Sequence, residues 1–199
     1  MRRIEGLIEK AKKMKERGLT TGEIADELNV SRETALWLLT KAREDITPPS
    51  DIYIELKTLS SSPYRIRNVA KSLADMIIEK IDETPEVVIG IATSGIPVAT
   101  MVAEELDSDL SIYYPRKLKW ERGEHQTVGA MSENFAKVEG KKCVAVDDII
   151  STGSTIREVS EYVKRREGKL LCASVIIDKK GLEEVDGAPV LSLFRIVRI

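Results

Sequence analysis

One segment of the chain combines residue types that can bind a phosphorylated sugar. Cys143–Val146 is an apolar run typical of a buried strand, Asp147 and Asp148 follow it, and a small hydroxyl-rich turn leads into a helical stretch. Main-chain N–H groups in such a turn, together with the positive end of the helix, can surround a phosphate. Carboxylates facing that phosphate would repel it, so the two aspartates fit better on sugar hydroxyls or near a magnesium ion carried by the ligand. The predicted phosphate contacts are Ser151, Thr152, Gly153, Ser154 and Thr155.

A second segment repeats the order of strand, small turn and helix. Gly90–Ala99 contains Thr93, Ser94 and Gly95 in its turn, and Pro97 suits the first turn of a helix. We expect this turn to offer main-chain and hydroxyl donors. The alternative for either segment is a plain structural junction between a strand and a helix. In the first segment, however, the paired acids and the hydroxyl-rich turn serve no packing purpose that simpler residues would not serve equally well.

The first segment resembles, over its whole length, the signature with which type I phosphoribosyltransferases bind phosphoribosyl pyrophosphate (PRPP). The second segment is similar to the pyrophosphate loop of the same family. The resemblance implies a doubly wound parallel α/β sheet, PRPP as a ligand and Mg²⁺ as a cofactor. In an active enzyme of this kind, Asp147 and Asp148 would stabilise a transition state that resembles a ribosyl cation.

Two further stretches are similar to orotate phosphoribosyltransferases. Residues 50–57 resemble the opening of that domain, and residues 114–119 resemble the basic stretch before its mobile catalytic loop. The resemblance implies that Arg116 and Lys117 bind the pyrophosphate, and that Lys119 clamps the leaving group if the protein is an enzyme. From the residues alone, these cations could equally form a solvated charge run.

The chain departs from the orotate enzymes at two points. Lys119 lies closer to the Arg-Lys pair than the last lysine of that stretch usually does. After the strand predicted at 170–177, Asp178, Lys179 and Lys180 stand where the enzymes carry an aspartate–arginine pair whose arginine holds the orotate carboxylate. Lysine offers a point charge and not a planar two-pronged donor. The sequence therefore predicts PRPP recognition without orotate recognition.

The first 45 residues have the pattern of a helix-turn-helix. Apolar residues recur at helical spacing up to about Gly18, and Thr20 with Glu23 forms a predicted capping box that starts a second helix. Asn29 suits the turn, and Ser31 can cap a third helix that runs to about Arg43. In a DNA-binding version of this motif, the start of the last helix enters the major groove. The predicted DNA contacts are Ser31, Arg32, Glu33, Trp37 and Thr40.

The alternative is a three-helix cap that stabilises the domain or a dimer, for which an exposed Leu36 and Trp37 would be suited. The consecutive prolines in residues 46–50 cannot continue a helix, so this segment is the predicted linker. We thus expect a helix-turn-helix module at 1–45 and a phosphoribosyltransferase-like domain at 51–199. Apolar runs at 87–92, 110–114, 143–146, 170–177 and 190–194 alternate with helical patterns at 98–106 and 155–166, as in a parallel sheet covered on both faces.

Composition restricts the classes of protein that fit. The formal net charge is −2 and hydrophobic residues make up 42% of the 199 residues, which excludes a strongly basic polyanion binder and allows a sizeable core. The first seventeen residues carry seven basic and three acidic side chains, a local asymmetry that permits DNA contact. Cys143 and Cys172, both in apolar runs, are expected to be buried thiols, and the single histidine argues against a zinc site. We expect a cytoplasmic protein.

The combination of modules resembles archaeal regulators that carry a helix-turn-helix ahead of an orotate-phosphoribosyltransferase-like domain. This resemblance implies a homodimeric, DNA-binding transcriptional regulator that senses PRPP or a related nucleotide metabolite. The alternative is an active, magnesium-dependent transferase that moves ribose 5-phosphate from PRPP to a nucleobase. A nucleotide-binding subunit with neither activity is a third possibility.

Overall fold

The computed structural model of the chain describes residues 2–40, 49, 51–116 and 129–197. The predicted end of the third helix near Arg43, nearly all of the linker, Lys117 and Lys119 lie outside these residues. The chain divides into two compact units, Met1–Thr58 and Leu59–Ile199. The helices are α1 (Arg2–Glu16), α2 (Thr21–Glu27), α3 (Arg32–Thr40), α4 (Lys57–Ser60), α5 (Pro63–Lys80), α6 (Gly95–Leu106) and α7 (Ser154–Lys164). The strands are β1 (Val87–Ile91), β2 (Asp109–Tyr114), β3 (Ala130–Met131), β4 (Lys142–Ile150), β5 (Lys169–Asp178), β6 (Glu184–Val185) and β7 (Ala188–Arg195).

The first unit holds a three-helix core. Helix α3 packs against both α1 and α2, and buried side chains therefore occupy a large part of its circumference. Asn29, the residue predicted to suit the turn before α3, has a φ of 52°, a left-handed conformation that asparagine tolerates. The fully or nearly fully buried side chains are Ala11, Ile24, Ala25, Leu28, Ala35, Trp37 and Leu38.

Residues 51–55 lie against these helices. The Ser31 main-chain N–H donates to Asp51 Oδ2 at 2.5 Å, and Lys10 Nζ lies 3.8 Å from Glu55 Oε1. The division between the two units therefore falls later in the chain than the boundary predicted at residues 46–50.

The predicted capping box at the start of α2 is present. Thr20 Oγ1 accepts from the Glu23 N–H at 3.2 Å, and the Glu23 carboxylate accepts from the Thr20 N–H at 2.6 Å. Two N–H groups that lack helical partners are satisfied in this way.

Replacing Thr20 by alanine should lower the free energy of unfolding by about 1 kcal/mol, because the Glu23 N–H at the start of α2 loses its acceptor. The loss can be measured by thermal unfolding followed by circular dichroism. Thr21→Ala is the matched control, since Thr21 is the first residue of α2 and does not cap it. An equal loss from both variants would contradict the role given to the Thr20 side chain.

The second unit is built on one seven-stranded sheet in the order β3-β2-β1-β4-β5-β7-β6. The five central strands are parallel, and the short strands β3 and β6 pair antiparallel at the two edges. The carboxyl ends of β1, β4, β5 and β7 therefore lie along the same edge of the sheet. In an open parallel sheet this edge is where ligands bind.

Helices cover both faces of this sheet. Alternate residues of β1, such as Ile89, share a core cluster with Ile156 and Val159 of α7. Gly90 lies on the opposite face, where a Cβ would be 2.9 Å from the Cβ of Ala99 in α6. Helix α5 packs beside α6 and against β5 and β7. The predicted doubly wound α/β fold is confirmed, with β3 and β6 as antiparallel additions.

The two cysteines are free and buried, as predicted. Burial raises the pKa of each thiol to about 12, so both remain protonated at neutral pH. Among the helices of the described ranges, none combines the length and apolar character required to cross a bilayer.

Candidate phosphate-binding site

The turn between β4 and α7 leaves main-chain donors available at the ligand edge of the sheet. Gly153 caps α7 with a φ of 75°, a left-handed conformation that glycine adopts without steric cost. The main-chain N–H groups of Ser151, Thr152 and Thr155 donate to no other group in the described part of the chain. Ser154 N–H makes only a long contact of 3.4 Å to Thr152 Oγ1. This is the phosphate turn, residues 151–155, and its main-chain N–H groups can donate hydrogen bonds to an anionic group.

The two aspartates lie within β4, because the strand continues to Ile150 and does not end at Val146 as predicted. Asp147 Oδ1 accepts from the Asp148 N–H at 2.9 Å, and Asp148 Oδ1 accepts from the Ile149 N–H at 2.8 Å. The two side chains differ in exposure: Asp147 is half-buried, whereas Asp148 is 8% exposed. Both carboxylates therefore lie at the carboxyl end of the central strand, with Asp147 the more accessible to a ligand.

The second predicted loop packs directly against the first. The turn at residues 92–95 follows β1, and Gly95 begins α6. A Cβ at Gly95 would lie 2.8 Å from the Val146 carbonyl oxygen and 2.9 Å from Asp147 Oδ1. Only glycine fits against the backbone of β4 at this distance. The structure thus brings Gly95, in the turn that also contains Thr93 and Ser94, against Asp147.

Arg116 is held by a carboxylate of α7. Its main-chain N–H donates to Glu158 Oε2 at 3.2 Å, and its Nη2 lies 3.5 Å from Glu158 Oε1. The Tyr113 hydroxyl donates to the same Glu158 Oε2 at 3.4 Å. Burial, reinforced by the nearby Glu158 charge, raises the pKa of Tyr113, so its hydroxyl remains a donor. The arginine predicted to bind pyrophosphate therefore already has an acidic partner.

The segment after β5 is organised by a buried carboxylate. Asp178 is 0% exposed, and its oxygens accept from the N–H groups of Lys180, Gly181 and Leu182 at 2.7–2.8 Å. Arg195 Nε lies 3.6 Å from Asp178 Oδ2. The residues at which the chain departs from orotate enzymes thus form a tightly hydrogen-bonded turn at the ligand edge.

In the first unit, α3 presents a polar face that differs in one position from the predicted one. Arg32, Glu33 and Thr40 are exposed, but Trp37 is 8% exposed and packs in the three-helix core. The expectation that Trp37 is exposed is wrong, because α3 buries side chains against two helices and not one. Leu36, 53% exposed, occupies the outward position one helical turn after Arg32.

Main-chain N–H groups at the start of α3 are satisfied by hydrogen bonds within the first unit. Ser31 Oγ accepts from the Thr34 N–H at 3.1 Å, as a capping residue does, and the Ser31 N–H itself donates to Asp51. Ser31 is partly buried. The Ser31 hydroxyl therefore caps the helix, and Arg32 is the first exposed side chain of the helix.

No group of three or more potential metal-ligating side chains occurs among the residues that the structure describes. The paired carboxylates of Asp147 and Asp148 nevertheless suit Mg²⁺ that arrives with a phosphorylated ligand, because this ion uses one or two carboxylates and takes its other oxygens from phosphates and water.

Sequence reasoning missed three features of these sites. It did not single out Glu158, whose partner is distant in the chain, nor the contact of Gly95 with β4. It read Asp178 as part of a substrate motif, whereas the side chain holds a turn together. A glycine that opens a helix with only three residues between it and the preceding strand was the available signal for the close approach at Gly95.

Comparison with known proteins places these features in a family. Residues 56–199 match the model of the phosphoribosyl transferase domain. The chain is 56% identical over 199 residues, the full length of both proteins, to "Transcriptional regulator GfcR" of Archaeoglobus fulgidus. It is 40% identical to the protein of the same name from Haloferax volcanii, covering 100% of this chain and 99% of that one.

Solved structures agree with the fold. The orotate phosphoribosyltransferase of Aeropyrum pernix superposes with a TM-score of 0.58 at 26% identity, covering 79% of this chain and 84% of that one. The purine phosphoribosyltransferase of Pyrococcus horikoshii gives a TM-score of 0.51 at 26% identity, over 67% and 84% of the two chains. The relatives' names favour the regulator interpretation over the transferase alternative. The chain belongs to the phosphoribosyl transferase domain family, in a full-length form shared with archaeal transcriptional regulators.

Proposed function

We propose that the protein is a DNA-binding transcriptional regulator whose phosphoribosyltransferase-like domain senses PRPP or a related phosphorylated nucleotide metabolite. The observation that carries the proposal is the coexistence of two sites in one chain. One is the phosphate turn beside Asp147 and Asp148, and the other is the exposed polar face of α3. Full-length similarity to proteins named transcriptional regulators supports it.

For the ligand, the phosphate turn would bind the 5-phosphate through its amides and hydroxyls. Asp147 and Asp148 would bind the ribose hydroxyls, directly or through Mg²⁺ carried by the pyrophosphate. Thr93, Ser94 and Gly95 would contact the pyrophosphate from the adjoining loop. Arg116 and Lys117 would supply positive charge.

For DNA, α3 would enter the major groove, with Arg32 and Glu33 nearest to the bases. Arginine can bind guanine with two hydrogen bonds, and glutamate can accept from cytosine. Leu36 replaces Trp37 among the proposed contacts, since an exposed apolar side chain can meet a thymine methyl group. Thr40 and Ser31 remain proposed contacts at the two ends of the face.

Regulation follows if the ligand binds two arrangements of a homodimer with different affinity, because the difference sets how far DNA binding can change. A symmetric dimer would place two half-sites roughly 34–36 Å apart, or a multiple of that distance. A coupling of this kind typically alters affinity by about 5- to 150-fold.

The test is to measure binding of the full chain to the DNA upstream of its own coding sequence by fluorescence anisotropy, over a salt series, with and without PRPP and Mg²⁺. We expect preference over a scrambled fragment of the same composition, and a change of affinity when PRPP is added. Equal binding to both fragments at every salt concentration would remove the DNA-binding proposal. Pyrophosphate release at ordinary enzyme rates with any common nucleobase would favour the transferase alternative.

Replacing Arg32 by alanine should weaken specific DNA binding by about tenfold or more, the typical loss when a bidentate base contact is removed. The affinity for PRPP, measured by calorimetry on the same preparation, should not change. Arg67→Ala is the control, because this arginine lies in the second unit, where it pairs with Glu104. A loss of PRPP binding in the Arg32 variant, or an equal loss of DNA binding in both variants, would contradict the assignment.

A further inference from the structure

Residues 51–55 belong structurally to the first unit. They follow the predicted linker, yet the match to the phosphoribosyl transferase domain begins only at residue 56, and the division of the chain into two units falls later still. Lys10 of α1 contacts this segment twice, since its Nζ lies 3.8 Å from Glu55 Oε1 and 3.5 Å from the Tyr53 hydroxyl. A segment that the sequence assigns to the ligand-binding domain is thus packed on the helices of the first unit.

Asp51 ties this segment to the start of α3. Its Oδ2 accepts from the Ser31 main-chain N–H at 2.5 Å, and its Oδ1 accepts from the Ile52 N–H at 2.7 Å. Because both oxygens accept a main-chain hydrogen bond, the carboxylate is held in one orientation. A negative charge at the start of a helix also interacts favourably with the positive end of the helix dipole.

Ser31 is held by all of its polar groups. Its hydroxyl accepts from the Thr34 N–H at 3.1 Å, its carbonyl accepts from the Ala35 N–H at 2.9 Å, and its own N–H donates to Asp51. Arg32 is the next residue, so the position of its backbone follows from that of Ser31. This position matters because a specific binding contact requires its groups to be placed to within about 0.5 Å.

We propose that Asp51 is a positioning residue for DNA recognition. From outside the helix-turn-helix, it sets the start of α3 and with it the placement of Arg32 on the bases. The inference rests on the proposed DNA-binding function. It extends the DNA-binding unit to residue 55, beyond the linker at which the sequence analysis ended it.

Two substitutions at this position separate the hydrogen bond from the charge. Asp51→Ala removes the acceptor of the Ser31 N–H, and the affinity of the full chain for the upstream DNA fragment should fall about fivefold to tenfold. Asp51→Asn keeps an oxygen that can accept this bond, and its affinity should stay within about twofold of that of the unmodified chain. Fluorescence anisotropy measures both.

Glu55→Gln is the matched control for the loss of one negative charge from the same segment. The Glu55 and Lys10 side chains are 54% and 52% exposed, and such ion pairs contribute little. We therefore expect this variant to bind the upstream fragment within about twofold of the unmodified chain.

Sequence specificity distinguishes positioning from a general loss of structure. Binding to a scrambled fragment depends mainly on charge, and Asp51→Ala and Asp51→Asn carry the same charge. The two variants should therefore bind the scrambled fragment equally and differ only on the upstream fragment. Unchanged binding of the upstream fragment by Asp51→Ala, an equal loss on both fragments, or an equal loss in Asp51→Asn or Glu55→Gln would overturn the inference.

Amide hydrogen exchange tests the contact without DNA. In Asp51→Ala the Ser31 N–H should exchange at least about tenfold faster than in the unmodified chain, and in Asp51→Asn it should remain protected. Equal exchange in all three proteins would overturn the inference even if DNA binding is specific. If the unmodified chain shows no preference for the upstream fragment while its Ser31 N–H is protected, the DNA-binding function itself is refuted, and this inference with it.

Discussion

Replacing Asp147 and Asp148 together by asparagine is expected to reduce the affinity for PRPP with Mg²⁺ by about 100-fold or more. Hydrogen bonds to charged groups contribute about 1.5–3 kcal/mol each, and two of them would be weakened at once. Each asparagine keeps an oxygen that can accept the hydrogen bond that the aspartate Oδ1 accepts from the next main-chain N–H. The end of β4 should therefore retain its conformation. Calorimetry gives the affinity, and circular dichroism checks the fold.

The single variants should not be equivalent. Asp147 is the more exposed carboxylate and contacts the second loop, so Asp147→Asn should account for the larger share of the loss. Asp186→Asn provides a matched control, since Asp186 is a surface partner of Arg157 within the same unit. Full affinity in the double variant would show that the aspartates do not contact the ligand and would refute the proposed site.

Replacing Asp178 by asparagine is expected to destabilise the second unit by about 3 kcal/mol. Asparagine can present one oxygen to the N–H groups of Lys180 and Gly181, but its NH₂ group then faces the N–H of Leu182, and two donors oppose each other. The variant also removes the charge that faces Arg195. Because the site is 0% exposed, water cannot restore the lost contacts.

Urea unfolding followed by circular dichroism measures this loss, and hydrogen exchange locates it in the segment after β5. An exposed carboxylate serves as the comparison: Asp107→Asn changes the residue that ends α6, where asparagine tolerates the same left-handed backbone. A change of less than about 0.5 kcal/mol in the Asp178 variant would mean that the turn is held by other contacts.

The central strands were predictable because fully buried parallel strands are continuous apolar runs. The predicted runs at 87–92 and 170–177 agree with β1 and β5 to within one residue at each end. Strand β4 is longer than predicted, since its last residues include two aspartates that hydropathy places outside a strand. Strands β3 and β6, of two residues each, are too short for any pattern.

Helix α5 was not predicted, although its apolar residues recur at helical spacing and Pro63 suits its first turn. The candidate site was predicted at the level of its two loops, whose small and hydroxyl residues are local signals. What the sequence could not supply were the partners brought from elsewhere: Glu158 for Arg116, and β4 for Gly95. Trp37 illustrates the same limit, because burial against two helices is a property of the assembled bundle.

The close packing of Gly95 on β4 has a consequence for which molecules could act as effectors. Because no space separates the two segments, the turn after β1 and the turn after β4 are held at a fixed distance from each other. If both turns bind the ligand as proposed, a sugar phosphate with a single anionic group can bind at only one turn. A molecule with anionic groups at both ends of a ribose can bind at both turns at once. Size discrimination would then be built into the backbone itself, independent of any side chain that recognises a base.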